Sequence, residues 1–368
     1  MRRTTATAAL WLLFAGTAPA QEPAPVYQAQ KQYSVDAHLD ALLRQEFNET
    51  GLQLETDRQR IRLLPRLEAG INRVLVGVGG DFAYGSDDNT SPIAGVPRAL
   101  VRDNYRSSEA RLDLAFLSVR PASWLRLQGG RFAMPVALTE LLWDRDLRPQ
   151  GLAATLEARP GGAVERLSLT ALGARGSHVL EDGRVGMLLG SASAVFGFGA
   201  RHRLELLASF LKFDRLSGLD RRLRRQNTRR ADGSLADEYE VADVVARLRR
   251  DGKVPVQIVG DYCRNTALHA RNEGVWAAAV AGSTQENRLR AEYTYAFVDP
   301  DATLAAYDTD DFIWGTGWEG HRGDLGVRVR DHYSLHGLAQ AQRFKDSPRV
   351  ADRRHWVSRY RIELRVAY

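Results

Sequence analysis

From Val35 onward the chain alternates apolar and polar side chains with a period of two, the pattern of a strand with one apolar and one polar face. Leu39, Ala41, Leu43 and Phe47 alternate with Asp40, Arg44 and Glu46, and Ile61, Leu63, Leu67, Ala69 and Ile71 alternate with Arg60, Arg62, Arg66 and Glu68. The rhythm returns at Val74/Val76/Val78/Phe82/Tyr84, Leu112/Leu114/Phe116, Leu204/Leu206/Ala208/Phe210 and Leu289/Ala291/Tyr293/Tyr295/Phe297. It also closes the chain, where Tyr360, Ile362, Leu364, Val366 and Tyr368 alternate with Arg359, Arg361, Glu363 and Arg365. Pro65 interrupts the second run, the stretches 184–196 and 272–283 show no clean face, and Ala242-Asp243-Val244-Val245 implies a bulge.

The connections between these runs alternate in length. Seven are short: Asn72-Arg73, 121–123, 159–162, 197–201, 251–253, 285–287 and the turn near Asp331-His332. Eight are long: 49–58, 85–108, 134–150, 176–183, 214–235, 265–271, 299–313 and 345–354. Together they join sixteen strands, which at ~10–11 residues each take about half of the chain. Short turns at one end and long loops at the other are the layout of an outer-membrane barrel, with turns in the periplasm and loops outside. We therefore expect an all-β fold, a transmembrane antiparallel β-barrel of about 16 strands over residues 35–368. A soluble sandwich or propeller would also alternate, but its loops would not sort by side.

Composition narrows this further. The mean hydropathy of −0.34 leaves no apolar run of about 18 residues, which excludes a helical membrane protein and not a β-barrel. A single cysteine excludes a disulfide scaffold and a cysteine-built zinc site. Met1-Arg2-Arg3, the apolar stretch Ala8 to Gly16 and Ala18-Pro19-Ala20 read as a secretory signal peptide over 1–20, followed by a periplasmic segment over 21–34. Losing Arg2 and Arg3 lowers the formal charge from +6 to +4, since positions 1–20 hold no acid. An exported chain does not meet nucleic acid, so none is expected as a partner; the positive balance belongs to solvated surface or to a charge-lined pore.

Motifs of catalysis are sparse. Gly77-Val78-Gly79-Gly80 lies within a strand, so its glycines mark close backbone approach rather than a nucleotide fingerprint. The sequence has no nucleophile elbow, zinc-protease helix motif or P-loop, and His38, His178, His202, His269, His321, His332, His336 and His355 are scattered. No catalytic, metal or cofactor site is expected, and Cys263, on the inward parity of its strand, reads as an inert thiol. Trp124, Trp276, Trp314, Trp318, Trp356, Tyr84 and Tyr262 sit near strand ends, where aromatic girdles meet lipid headgroups.

The segment Leu125-Arg-Leu-Gln-Gly-Gly-Arg-Phe132, then Met134-Pro135, Glu140-Leu-Leu-Trp-Asp-Arg-Asp-Leu147 and Pro149-Gln-Gly-Leu152, resembles the putative porin family of Gram-negative bacteria. Arg60 to Ala69, Val74 to Gly80 and Leu112 to Phe116 match in the same order, so the resemblance runs from about 58 to 158 and is generic barrel beyond. Phosphate-selective sixteen-stranded porins are more distantly similar. The resemblance implies that the loop joining strands five and six, 134–150, folds into the barrel and narrows the pore. Glu140, Trp143, Asp144, Arg145, Asp146 and Arg148 are its constriction candidates. The terminal strand, Tyr360, Ile362, Leu364, Val366 and Tyr368, resembles the assembly signal read by the barrel assembly machinery, with Tyr in place of the usual Phe. Porins of this size are often trimers, and no feature of the sequence fixes the number of copies.

The expected function is thus an outer-membrane porin that needs no cofactor and passes small hydrophilic solutes by passive diffusion. Alternatives are an outer-membrane hydrolase, which would need a clustered His/Asp/Ser set at one rim, and a solute-specific phosphate or anion channel. Parity on the clean strands places fifteen arginines inward, among them Arg62, Arg66, Arg111, Arg126, Arg290, Arg328 and Arg361. Nine acids share that side: Glu68, Asp81, Asp113, Glu157, Glu205, Asp261, Glu292, Asp324 and Glu363. The wall excess of six positive charges, less one for loop 134–150, predicts anion preference unless Glu140, Asp144 and Asp146 line the narrowest point. Loop 214–235 adds seven Arg against three Asp near the outer mouth.

Overall fold

Alternation decides the architecture, because a strand with one apolar face can lie in a bilayer only if its backbone groups are all paired, and ring closure pairs them. The computed structural model describes residues 33–49, 56–85, 109–176, 185–219, 223–224, 227–235, 238–309, 311–312, 315–345 and 356–368. The signal peptide, most of the 21–34 segment, Trp314 and all or part of the connections 49–58, 85–108, 176–183 and 345–354 lie outside the described residues.

Sixteen strands form the chain. The first eight are β1 (Tyr33–Glu49), β2 (Thr56–Ile71), β3 (Val74–Gly85), β4 (Glu109–Ala122), β5 (Leu125–Arg131), β6 (Gln150–Ala158), β7 (Val164–Arg175) and β8 (Gly186–Phe198). The rest are β9 (His202–Asp214), β10 (Tyr239–Arg250), β11 (Val256–Asn265), β12 (Glu273–Ser283), β13 (Leu289–Val298), β14 (Trp318–Arg330), β15 (Tyr333–Phe344) and β16 (Val357–Ala367). Each pairs antiparallel with its neighbours in sequence, and β1 pairs with β16 to close the barrel. At the seam Tyr368 N donates to Leu39 O (3.0 Å) and Leu39 N to Tyr368 O (3.1 Å), extending the ladder that runs from Asp40 opposite Ala367 to Glu49 opposite Ser358. Asn72, at φ 53, takes the left-handed conformation that a two-residue hairpin turn between β2 and β3 demands and that Asn tolerates.

The outward face is the apolar one read from the sequence. Leu43, Phe47, Ile61, Leu67, Val76, Leu206, Phe210, Tyr293, Tyr360 and Ile362 are all exposed on it. Three expectations need correction, and one cause underlies them. The 242–245 stretch is not a bulge: Asp243 pairs with Ser209 and Cys263, and Val244 with Ala208 and Tyr262, without a shift. Val245 is instead an apolar residue that faces inward. On β4, Leu112 faces out, but a register shift at Gly79/Gly80 turns Leu114 and Phe116 into the barrel. Gly77 makes room there, since a Cβ on it would lie 2.3 Å from the Phe116 ring. Trp276 and Trp318 are buried inside rather than at the lipid girdle, whereas Trp124, Tyr84, Tyr262 and Trp356 are exposed on the outer face. In each case the inner wall is apolar because loops fold into the lumen and pack against it.

Candidate functional site in the barrel lumen

The connection from β5 to β6 carries Phe132, Met134, Val136, Leu138, Leu141, Leu142, Trp143 and Leu147. Left in water, so many apolar side chains would be unfavourable by ~1.5–3 kcal/mol each for the larger ones. All are buried, and they join the inward-facing Leu189, Leu207, Val245, Val259 and Trp276 in one cluster inside the barrel. This packing against β8–β12 draws the loop across the lumen.

Polar groups fix its course. Thr139 Oγ1 donates to Asp261 on β11, and the Arg247 guanidinium on β10 donates to the Ala137 carbonyl. Glu140 accepts from Arg322 Nη1 on β14 (2.9 Å) and from Arg145. Asp144 Oδ1 accepts from Asp146 N (2.7 Å), turning the chain so that Asp146 reaches Arg62 Nη1 at 2.7 Å on the facing wall. Arg148 Nε donates to Asp113 Oδ2 (3.2 Å), and Trp143 Nε1 to Leu147 O (3.2 Å). All six residues singled out in this loop therefore lie inside the barrel.

Of the wall arginines, Arg62 and Arg111 share Asp81, the first in a two-pronged contact of 2.9 Å for each bond. Arg290 bridges Glu292 and Asp324 (2.9 Å), and Arg361 reaches Glu46 Oε2 (2.8 Å) and Asp311 Oδ1 (2.9 Å). Arg66 lies four residues from Arg62 toward the short-turn end. Arg126 and Arg328 stand at that end, away from the loop. In the closing strand Tyr360 and Ile362 face outward and are exposed, as is the terminal Tyr368; Leu364 and Val366 share their parity, half-buried.

Sequence reasoning did not single out the second in-folded segment, the connection from β13 to β14. Tyr307, fully buried, stacks between Trp143 (5.6 Å, 1° between planes) and Phe213 (5.3 Å, 3°). Asp144 N donates to Tyr307 O (2.8 Å) and Thr309 N to Glu140 O (3.0 Å), lacing the two loops together. From the β9–β10 connection, Asn227 Nδ2 donates to Pro300 O (2.6 Å) and Thr303 O (2.9 Å), while its Oδ1 accepts from Ala305 N (2.9 Å). The signal was present as Leu304-Ala-Ala-Tyr307, an apolar run in a loop that would otherwise face water.

Asp311 ends this segment among four guanidinium groups: Arg361 (2.9 Å), Arg322 (3.7 Å), Arg145 (3.8 Å) and Arg44 (4.0 Å). Burial raises its pKa, but these charges outweigh burial and hold the carboxyl well below the usual carboxylate range. Arg44 and Arg247 join the inner wall together with Glu46 and Asp243. Among the charged groups of the two in-folded loops, Arg145 (38% exposed), Asp311 (32%) and Asp146 (28%) keep contact with water. The side of the lumen toward β1–β3 and β14–β16 is therefore the one on which loop charges stay partly exposed. Among the described residues no group of three His, Cys, Asp or Glu is placed to hold a metal ion.

Residues 23–176 match the family described as putative porin. No curated protein matches the chain by sequence. Among solved structures, the fold is similar to that of OprB of Pseudomonas putida at high pH, with 11% identity and a TM-score of 0.62 over 91% of this chain and 94% of that one. It is also similar to OmpF of Salmonella typhi in complex with daunomycin (11% identity, TM-score 0.53, 92% and 98% covered). OmpT of Vibrio cholerae lacking its loop L8, an outer-membrane protein, gives 10% identity and a TM-score of 0.52 over 92% and 100%. At these identities the likeness is one of fold.

Proposed function

We propose that this chain, an outer-membrane β-barrel of porin fold with the putative porin pattern over residues 23–176, is a channel for passive diffusion of small hydrophilic solutes. The observation that carries this reading is the pairing of a closed sixteen-strand wall, apolar outside, with a lumen lined by ionised groups and crossed by loop 132–149. Such a wall lowers the barrier to a solute by replacing hydrocarbon with water and fixed charge. The family match and the fold point to a channel rather than an enzyme.

Loop 132–149 acts as the constriction, with Arg145, Asp146 and Asp311 at the partly exposed edge. Summed over the wall and the two in-folded loops, charge no longer favours anions. The wall excess of six falls by one for loop 134–150 and by five for Asp299, Asp301, Asp308, Asp310 and Asp311 of the second loop, of which Asp310 lies outside the described residues. What remains is placement: the acids nearest the path, Asp146 and Asp311, are each held by wall arginines. A weak anion preference at low salt follows. Vesicle swelling with uncharged sugars of increasing size tests the channel reading. Swelling that falls steeply with solute size supports it, and none even for the smallest sugar contradicts it. A trimer, suggested by the porin fold, is tested by the mass of the detergent-extracted complex.

A further inference from the structure

We infer that Ser334, His336 and Asp324 form a serine-hydrolase site on the lumen wall, acting on small anionic carboxylic esters that enter the channel. Ser334 and His336 are two apart on β15 and both face inward; Asp324 and Gly326 lie on the adjacent β14. The Ser334 hydroxyl is 3.1 Å from His336 Nε2, and His336 Nδ1 is 3.0 Å from Asp324 Oδ1. With Asp324 accepting from Nδ1, the Nε2 lone pair is left to accept the serine proton, which is the order of roles a nucleophile, base and orienting carboxylate require.

The surroundings support this arrangement. Gly326 pairs directly with His336, and a Cβ there would lie 2.4 Å from the imidazole Cε1, so only glycine lets the ring bridge its two partners. Arg290 Nη1 holds the other oxygen of Asp324 at 2.9 Å. His336 and Asp324 are buried, while Ser334 is half-buried at the lumen surface. Arg328 on β14 and Arg365 on β16 are the residues paired directly with Ser334, at a Cβ separation of ~4.5–5.5 Å. Arg365 Nε and Nη2 donate to Glu363 Oε2 (2.8 and 2.6 Å) and Arg328 Nη1 to Gln285 O (2.7 Å). The guanidinium N–H groups these bonds leave over can hold a developing oxyanion and a substrate's own negative charge.

The chemistry balances without a cofactor. Ser334 Oγ bonds to the ester carbonyl carbon as its proton passes to Nε2. The C–O bond to the alcohol then breaks, and the leaving oxygen takes that proton. A water molecule repeats the sequence on the acyl-serine, releasing the carboxylic acid and restoring the hydroxyl. Ser334 and His336 are the catalytic residues, and Asp324 is a positioning residue.

The inference rests on the channel reading only for access, so the refolded full chain is first shown to conduct ions and then exposed to a small alkyl fluorophosphonate. A phosphonyl adduct on Ser334, found by peptide mass, is expected, together with a burst of p-nitrophenolate from p-nitrophenyl acetate. His336→Gln should slow labelling about 100-fold or more, and Asp324→Asn should move the pH profile of labelling as well as its rate. If His336→Gln does not assemble, the wild type against Ser334→Ala, which differs by one oxygen atom, decides the same question. A conducting wild type without an adduct on Ser334, or labelling indifferent to His336→Gln, overturns the site and leaves the channel; an adduct in a sample that does not conduct does the reverse.

Discussion

Tyr307 offers the sharpest test of how the lumen is built. Its ring is fully buried between Trp143 and Phe213, each nearly parallel to it at 5.6 and 5.3 Å. Tyr307→Ala removes both stacks, worth ~0.5–1.5 kcal/mol each beyond burial. The whole truncation of a buried aromatic costs about 3–5 kcal/mol. The barrel wall does not depend on this ring, so the loss should appear as local opening of the two loops. Asp144 N and Thr309 N, which cross-link the loops through Tyr307 O and Glu140 O, are the reporters. At about 1.4 kcal/mol per tenfold, their hydrogen exchange should speed up by at least about 100-fold, while amides of β10 and β16 keep their wild-type rates. Single-channel current through the variant should be noisier. Unchanged exchange over 139–149 and 301–309 would refute the idea that this stack holds the loops in the lumen.

Asp311→Asn leaves Arg361, Arg322, Arg44 and Arg145 facing the path with one acid fewer, so the reversal potential at pH 7 should move toward stronger anion preference. The folded Asp311 carboxyl titrates below its ordinary value near ~4, so its charge and its stabilising contribution are complete above that value and fade only as pH falls through the lower one. Acidifying the wild type to about pH 5 should therefore leave this carboxylate charged, and an equal shift there would contradict the assignment. Ile362→Arg, on the lipid face of the closing strand, should cost ~2–4 kcal/mol near the midplane and cut the yield of heat-modifiable barrel, a loss read on unboiled gels. Deleting Tyr368 removes both seam bonds to Leu39 and should lower surface yield likewise; normal assembly would show that the last strand is not the assembly signal. Anion preference should fade as salt rises to 1 M, where the Debye length is ~3 Å.

The wall was legible in the sequence because its lipid face is uniformly apolar. Leu39 to Phe47, Ile61 to Ile71 and Tyr360 to Val366 each show the alternation, and the observed strands Tyr33–Glu49, Thr56–Ile71 and Val357–Ala367 contain those runs and begin before them. The lumen was legible only where it is wet. Where β8, β10 and β12 meet the in-folded loops, Leu189, Val245, Trp276 and Val280 make the inner face apolar too, so period two disappears. The ambiguity of 184–196 and 272–283 was thus the imprint of a packed loop read one strand at a time. Loop 132–149 could be placed through a family resemblance, whereas the segment around Tyr307 had only its own apolar run to mark it. Ser334, His336 and Asp324 were dispersed in the alternating pattern, and only the register of β14 against β15 brings the carboxylate to the imidazole.

The central claim is that the closed barrel conducts passively through a lumen narrowed by loop 132–149. Recording the refolded chain in a planar lipid bilayer under a salt gradient tests it most directly. The account predicts discrete conductance steps without any cofactor, with a reversal potential displaced weakly toward the anion side at low salt and toward zero at 1 M. A bilayer that stays silent with verified, folded barrel inserted would contradict it.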